Sequence, residues 1–119
     1  MANLKQKVDF TGKNIYIGID VHLKQWNVSI YYENQFLTNF TQPPDPKSLV
    51  TYLKSNYPNA HYKCAYESGF CGFWIQRQLE KETIECIVVN AADVPFTNKS
   101  ISSKIIHLFQ MREYFFLKN

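Results

Sequence analysis

Residues 14–20 carry the pattern that most constrains the fold of this chain. Apolar side chains alternate strictly with other side chains along this segment, which is typical of a β-strand, and the segment ends in an acid. An apolar face built from three isoleucines must be buried, so the strand belongs to a sheet that packs against other elements. The side chains on the apolar face are Ile15, Ile17 and Ile19, and those on the opposite face are Tyr16, Gly18 and Asp20.

Two further alternating segments follow closely along the chain. Residues 25–32 place Trp26, Val28 and Ile30 on one face, and residues 36–40 alternate again after Glu33-Asn34. Two alternating segments separated by a short polar turn predict a β-hairpin.

The pattern then changes to helices and strands in turn. Asp45-Pro46 predicts a helix start, because aspartate caps helices and proline suits the first helical position. Apolar residues at helical spacing extend this helix to about residue 57, and Pro58-Asn59 ends it. The remaining elements are a strand over 61–66 that ends at Glu67, a helix over about 70–82 and a strand over 84–89.

The resulting order is strand, strand, strand, helix, strand, helix, strand. A hairpin beside the first strand, followed by helical crossovers, predicts an α/β fold with a mixed five-stranded sheet of the ribonuclease-H-like kind. In that arrangement the first and fourth strands are neighbours.

Two acids stand at the ends of those two strands. Asp20 closes the first strand and Glu67 closes the fourth, so parallel neighbouring strands would bring both carboxylates to one edge of the sheet. Two carboxylates suit Mg²⁺, which commonly takes one or two of them and fills its other positions with water and phosphate oxygens. An acid at a strand end is also commonly a turn residue or a helix cap, and that alternative stays open for both residues.

His22 follows Asp20 by two residues. An Asp-x-His pair is compatible with a metal site, and a solvent-facing turn histidine is the alternative that the local sequence favours.

Composition restricts the class of protein. With 119 residues and 45% hydrophobic side chains, the chain has the length and composition of one globular domain. The sequence shows neither a membrane-length apolar segment nor a signal-peptide pattern, which predicts a cytoplasmic location.

The net charge of +3 is compatible with a nucleic-acid partner. Cys64, Cys71 and Cys86 have no C-x-x-C spacing, so we expect buried free thiols.

Three segments together resemble a known family, the DEDD transposases of the insertion-sequence 110 class. Residues 17–24 (IGIDVHLK), continuing through Trp26-Asn27-Val28, resemble the family's opening motif. Residues 66–73 (YESGFCGF) resemble its second motif, and residues 86–99 (CIVVNAADVPFTNK) resemble the segment after its fifth strand. The order and spacing of the three segments match the family from about residue 14 to residue 99.

The resemblance implies a DNA recombinase whose amino-terminal ribonuclease-H-like domain binds Mg²⁺ through four acids. Asp20 would be the first catalytic and metal-binding acid and Glu67 the second. The third and fourth acids normally follow in a Lys-Thr-Asp-x-x-Asp motif, but residues 100–107 read SISSKIIH. Asp93 belongs to the preceding motif and is not assigned as a ligand.

These departures predict a truncated transposase fragment without recombination activity of its own. We expect a basic leader over 1–13, the transposase-like domain over 14–99 and a divergent tail over 100–119 that a frameshift would explain. The family's carboxyl-terminal domain, with its nucleophilic serine, has no counterpart in the sequence. The resemblance implies DNA as a partner, together with a structured RNA encoded by the element. A second copy or a full-length transposase is a further expected partner.

Two other functions remain as alternatives. A non-catalytic module that binds nucleic acid or transposase would need only the folded domain. A phosphotransferase of the sugar-kinase and actin type shares the opening Ile-Gly-Ile-Asp. It lacks support here, because residues 21–24 do not supply the Gly-Thr turn that approaches ATP phosphates.

Overall fold

The computed structural model describes residues 9–67 and 72–89, whose regular elements are five strands and two helices. All seven predicted elements are confirmed, with bounds that differ by up to four residues. The strands are β1 (Asn14–Val21), β2 (Trp26–Tyr32), β3 (Gln35–Gln42), β4 (His61–Glu67) and β5 (Glu85–Val89), and the helices are α1 (Pro46–Asn56) and α2 (Trp74–Lys81).

The five strands form one mixed sheet in the order β3-β2-β1-β4-β5. The β1–β2 and β2–β3 pairs are antiparallel, whereas β1–β4 and β4–β5 are parallel. The hairpin of β2 and β3 and the placement of β1 beside β4 are therefore both as predicted. The described chain is a mixed α/β structure with β1 at the centre of its sheet.

Both helices contribute to one core on a single face of the sheet. The inward side chains of α1 and α2 pack with alternate residues of β1, β2, β4 and β5, and the predicted apolar face of β1 is fully buried. Burying large aliphatic side chains of this kind contributes roughly 1.5–3 kcal/mol each. The fully buried members with the largest side chains are Trp26, Tyr66, Ile15, Ile17, Ile19, Ile30, Leu49, Leu53, Ile75, Leu79 and Ile84.

Helix α1 begins as its sequence predicts. The Asp45 carboxylate accepts hydrogen bonds from the Lys47 backbone N–H and the Ser48 hydroxyl, each at 3.2 Å, and Pro46 occupies the first helical position. The cap therefore satisfies a backbone donor that has no partner inside the helix.

Helix α2 begins at Trp74, four residues later than predicted. Its N-cap residue Phe73 makes no side-chain capping bond, and Gly72 before it has a positive φ of 60°. The tyrosine hydroxyl of Tyr66 replaces the missing cap, since it accepts a hydrogen bond from the Gln76 N–H at 3.3 Å and donates one to the Gly72 carbonyl at 2.7 Å. The start of α2 is thus fixed from strand β4.

The carboxyl end of α2 is a Schellman motif. The Ile84 N–H donates to the Leu79 carbonyl at 3.1 Å, and the Thr83 N–H donates to the Glu80 carbonyl at 3.0 Å. Thr83 occupies the left-handed position with a φ of 64°, where glycine is the usual residue. Ile84 and Leu79 are both fully buried, which supplies the apolar contact that accompanies this motif.

Several predicted features lie outside the described residues. These are the leader through residue 8, Cys71, Asp93 and the tail over 100–119. Among residues 9–67 and 72–89, neither helix combines the length and the apolar character that crossing a membrane requires.

Candidate metal site at the edge of the sheet

Strand pairing brings the two predicted acids to adjacent positions. Ile19 of β1 is the register partner of Tyr66 of β4, so the next residues along these parallel strands are Asp20 and Glu67. Neighbouring strands lie about 4.8 Å apart, and residues in register on parallel strands share a face. The two side chains therefore leave neighbouring strands on the same face of the sheet, opposite the helices, although 46 residues separate them in the chain.

Both acids lie within strands of the sheet. Asp20 lies within β1 and pairs in register with Asn27 of β2, so it is a strand residue and not a turn residue or a helix cap. Glu67 is the last residue of β4 and pairs with Val89 of β5. Asp20 is exposed and Glu67 is half-buried, which leaves both carboxylates accessible to a ligand from solvent.

His22 is the third polar group at this edge. It lies in the turn between β1 and β2, where its backbone N–H donates to the Gln25 carbonyl at 3.2 Å. Its imidazole Nε2 lies 3.3 Å from Oδ2 of Asp20, and both side chains are more than half exposed. The structure thus shows the solvent-facing turn histidine that the sequence favours, placed against the candidate acid. An exposed pair of this kind adds little stability.

A polar amide cluster extends the same face onto the hairpin. The Asn27 and Asn39 side chains exchange two hydrogen bonds of 3.0 and 2.8 Å, and the Asn39 amide also donates to the Ser29 hydroxyl at 2.7 Å. Because Asn27 is the cross-strand neighbour of Asp20, these bonds hold the strand that supports the acid. The sequence alone did not single out Asn39, since its contact with Asn27 depends on the register of β2 with β3.

Exposed apolar and cationic side chains lie in the turn after β1 and on helix α2. Leu23 in the β1–β2 turn is 79% exposed, and Phe73 and Trp74 at the start of α2 are 56% and 42% exposed. The Trp74 ring packs against the buried Trp26 ring in a tilted arrangement, with ring centroids 6.3 Å apart. These side chains follow the carboxyl ends of β1 and β4, so they belong to the end of the sheet that carries the acids. Lys24 and Arg77 are exposed on the same turn and helix.

The donor set at this edge fits one hard cation and not two. Two carboxylates match the protein share of a Mg²⁺ coordination sphere, whose other positions water or phosphate oxygens fill. A two-ion site would require more acids than Asp20 and Glu67. Across residues 9–67 and 72–89, no three His, Cys, Asp or Glu side chains come close enough to form a metal cluster. The segment 100–107, where the family resemblance would place two more acids, lies outside these residues.

One cavity of the described residues lies at the other end of the sheet. A shallow cavity of about 590 Å³ lies at the amino ends of β4 and β5, where His61, Lys63 and Glu85 line it. That end of the sheet is opposite to Asp20 and Glu67.

Comparison with known proteins adds no family. No protein-family model matches this chain, and no curated protein matches it either.

Proposed function

We propose that this chain is the ribonuclease-H-like part of a DNA transposase of the DEDD kind, and that it does not transfer DNA strands on its own. The single observation that carries the proposal is the adjacent placement of Asp20 and Glu67 at the carboxyl ends of two parallel strands. Phosphodiester chemistry of this class depends on acids that hold divalent cations against phosphate oxygens. The three motif segments in the sequence support the same assignment.

Asp20 and Glu67 would hold one Mg²⁺ at the edge of the sheet. When bound, the ion supplies positive charge that neutralises a phosphate oxygen. The residues of the chain itself position the acids: β1 and β4 fix their spacing, and the Asn27–Asn39 bonds hold the neighbouring strand. With half of the four-acid set in place, we expect cation binding without strand transfer.

Calorimetric titration with Mg²⁺ tests the site. We expect Asp20→Asn and Glu67→Gln each to weaken Mg²⁺ binding by about tenfold or more, which is roughly 1.4 kcal/mol. Glu85→Gln is the matched control, because Glu85 is an exposed acid at the opposite end of the sheet. Equal weakening by the control would show nonspecific charge attraction and would contradict the site.

A strand-transfer assay tests the second half of the proposal. The purified chain, incubated with Mg²⁺ and a supercoiled plasmid, is expected to give no joined or nicked product above the level of the Asp20→Asn variant. Product that depends on Asp20 would show that the chain is active without the third and fourth acids, and this result would overturn the claim of inactivity.

A second candidate function is a non-catalytic nucleic-acid-binding module. The observation that favours it is the set of exposed Leu23, Phe73 and Trp74 side chains beside exposed Lys24 and Arg77. Aromatic side chains stack on nucleobases and cations contact phosphates, which are the two elements of sequence-tolerant binding to single strands. Anisotropy of labelled DNA and RNA at increasing salt tests this function, and binding that Trp74→Ala abolishes in the absence of Mg²⁺ would favour it.

A further inference from the structure

Two cysteine side chains face each other across the β4–β5 pair. Cys64 of β4 and Cys86 of β5 are direct register partners in a parallel ladder. Both point into the core, with exposed fractions of 0% and 3%, and both are free thiols. Because they are register partners on parallel strands, both side chains leave the same face of the sheet. This is a dithiol of defined geometry, unlike an isolated buried cysteine.

The geometry suits a covalent bond between the two sulfurs. Adjacent strands separate register partners by about 4.8 Å, and disulfides typically join residues whose Cα atoms are about 4.4–6.8 Å apart. Both side chains also belong to the same buried core cluster, so no other strand lies between them. We propose that Cys64 and Cys86 are a modification site that forms a reversible disulfide with small-molecule disulfides of the glutathione class.

The reaction balances as two thiol–disulfide exchanges. The thiolate of one cysteine attacks the small-molecule disulfide, forming a mixed disulfide and releasing one small thiolate. The second cysteine then loses its proton, and its sulfur displaces the remaining small thiolate. Two protein S–H bonds and one external S–S bond are consumed, while one internal S–S bond and two external thiols are formed. The protein is oxidised, the small disulfide is reduced, and the two protons pass to the released thiolates.

Access of the small-molecule disulfide to the two sulfurs controls the rate at which the internal disulfide forms. Burial, together with the adjacent Cys86 thiol, raises the pKa of the Cys64 thiol, so little thiolate exists while the core is closed. Strand β5 has five residues and is the outermost strand of the described sheet beside β4. Local separation of β5 from β4 would expose both sulfurs at once, so oxidation is expected to follow this opening and not global unfolding.

The disulfide would also link β5 covalently to β4, the strand that carries Glu67 of the candidate metal site. Val89 of β5 is the register partner of Glu67, three residues beyond the cysteine pair on both strands. Linking Cys64 to Cys86 closes a loop that contains the whole of α2, which restricts the unfolded chain. The oxidised protein is therefore expected to keep β5 paired under conditions in which the reduced protein loses it. This inference does not depend on the proposed transposase function.

Mass spectrometry of the full chain tests the proposal directly. The native protein is incubated with oxidised glutathione, its remaining thiols are alkylated, and its peptides are mapped. We expect a mass loss of two hydrogens and one peptide that joins Cys64 to Cys86. The Cys71→Ser variant is the matched control and should give the same link. The Cys86→Ser variant should lose it entirely, and so should Cys64→Ser.

Two results of this mapping would overturn the proposal. One is a link that includes Cys71 in place of either partner, and the other is a stable glutathione adduct that never resolves to the internal bond. Urea unfolding of the oxidised Cys71→Ser variant provides a second measurement. Its midpoint should exceed that of the same variant after treatment with dithiothreitol. An unchanged midpoint would show that the link does not form in the folded arrangement described here.

Discussion

Replacing Tyr66 with phenylalanine isolates the unusual cap of α2. The ring of Tyr66 is fully buried, so Tyr66→Phe keeps the apolar packing and removes only the hydroxyl. That hydroxyl accepts a hydrogen bond from the third backbone N–H of a helix that has no side-chain cap of its own, and it donates to the Gly72 carbonyl. The substitution therefore removes the hydrogen bonds of the hydroxyl with Gln76 and Gly72 and leaves the shape of the core intact.

The expected cost follows from these two bonds. Loss of a helix N-cap interaction typically costs about 1 kcal/mol, and the part-buried hydrogen bond to the Gly72 carbonyl contributes about 1 kcal/mol more. We therefore expect Tyr66→Phe to lower the free energy of unfolding by roughly 2 kcal/mol. With a urea dependence of about 2 kcal/mol per molar for a domain of this size, the midpoint would fall by about 1 M.

Urea unfolding followed by circular dichroism measures this change. Tyr31→Phe is the control, since Tyr31 is half-buried on the opposite face of the sheet. Hydrogen exchange gives a local measurement, in which the Gln76 amide should lose protection before the amides of β1. A midpoint shift no larger than that of Tyr31→Phe, with Gln76 protection unchanged, would refute the assignment of the hydroxyl as the cap of α2.

Three further predictions concern the helix ends and one exposed carboxylate. Thr83→Gly should stabilise the protein by roughly 0.5–1 kcal/mol in urea unfolding, because glycine relieves the cost of a β-branched residue at positive φ; Thr83→Ala should give less. Asp45→Ala should cost about 1 kcal/mol, since it removes the carboxylate that accepts from the Lys47 N–H, whereas Asp45→Asn should retain most of that stability. A hydrogen bond from the Asn59 amide is the largest cause that lowers the pKa of the Asp9 carboxyl below 3.8. A lowered folded-state pKa stabilises the protein above about pH 4 and loses that contribution as the pH falls through the folded value, so Asp9→Asn should flatten the acid limb of a stability–pH curve.

The sequence predicted the elements whose signals are local. The alternation around Ile17 gave β1 because only a strand places every second side chain on one face. The pair Asp45-Pro46 predicted the start of α1 from an equally local signal, because the capping carboxylate lies two residues from the backbone N–H whose hydrogen bond it accepts. These signals lie within a few residues, and tertiary packing did not override them.

Features that depend on partners distant in sequence were not predicted. The sequence placed the start of α2 near residue 70, whereas its cap comes from the Tyr66 hydroxyl across a sharp bend at Gly72. The side chain of Tyr16 shares a face with the exposed Asp20, yet it is only 2% exposed. Alternation indicates which residues share a face of the sheet, but the burial of each side chain depends on what packs against that face. The facing cysteines likewise required the register of β4 with β5.

The candidate site combines both kinds of information. Each acid could be found from the sequence, because each ends a recognisable strand, but their proximity depends on parallel pairing of strands that a hairpin and a helix separate. That pairing brings two carboxylates to neighbouring strands, where the Asp20 carboxylate also lies 3.3 Å from the His22 imidazole. Like charges on neighbouring strands repel each other, and a bound cation would remove that repulsion. The Mg²⁺ titration of the Asp20 and Glu67 variants therefore measures cation binding separately from any effect on folding.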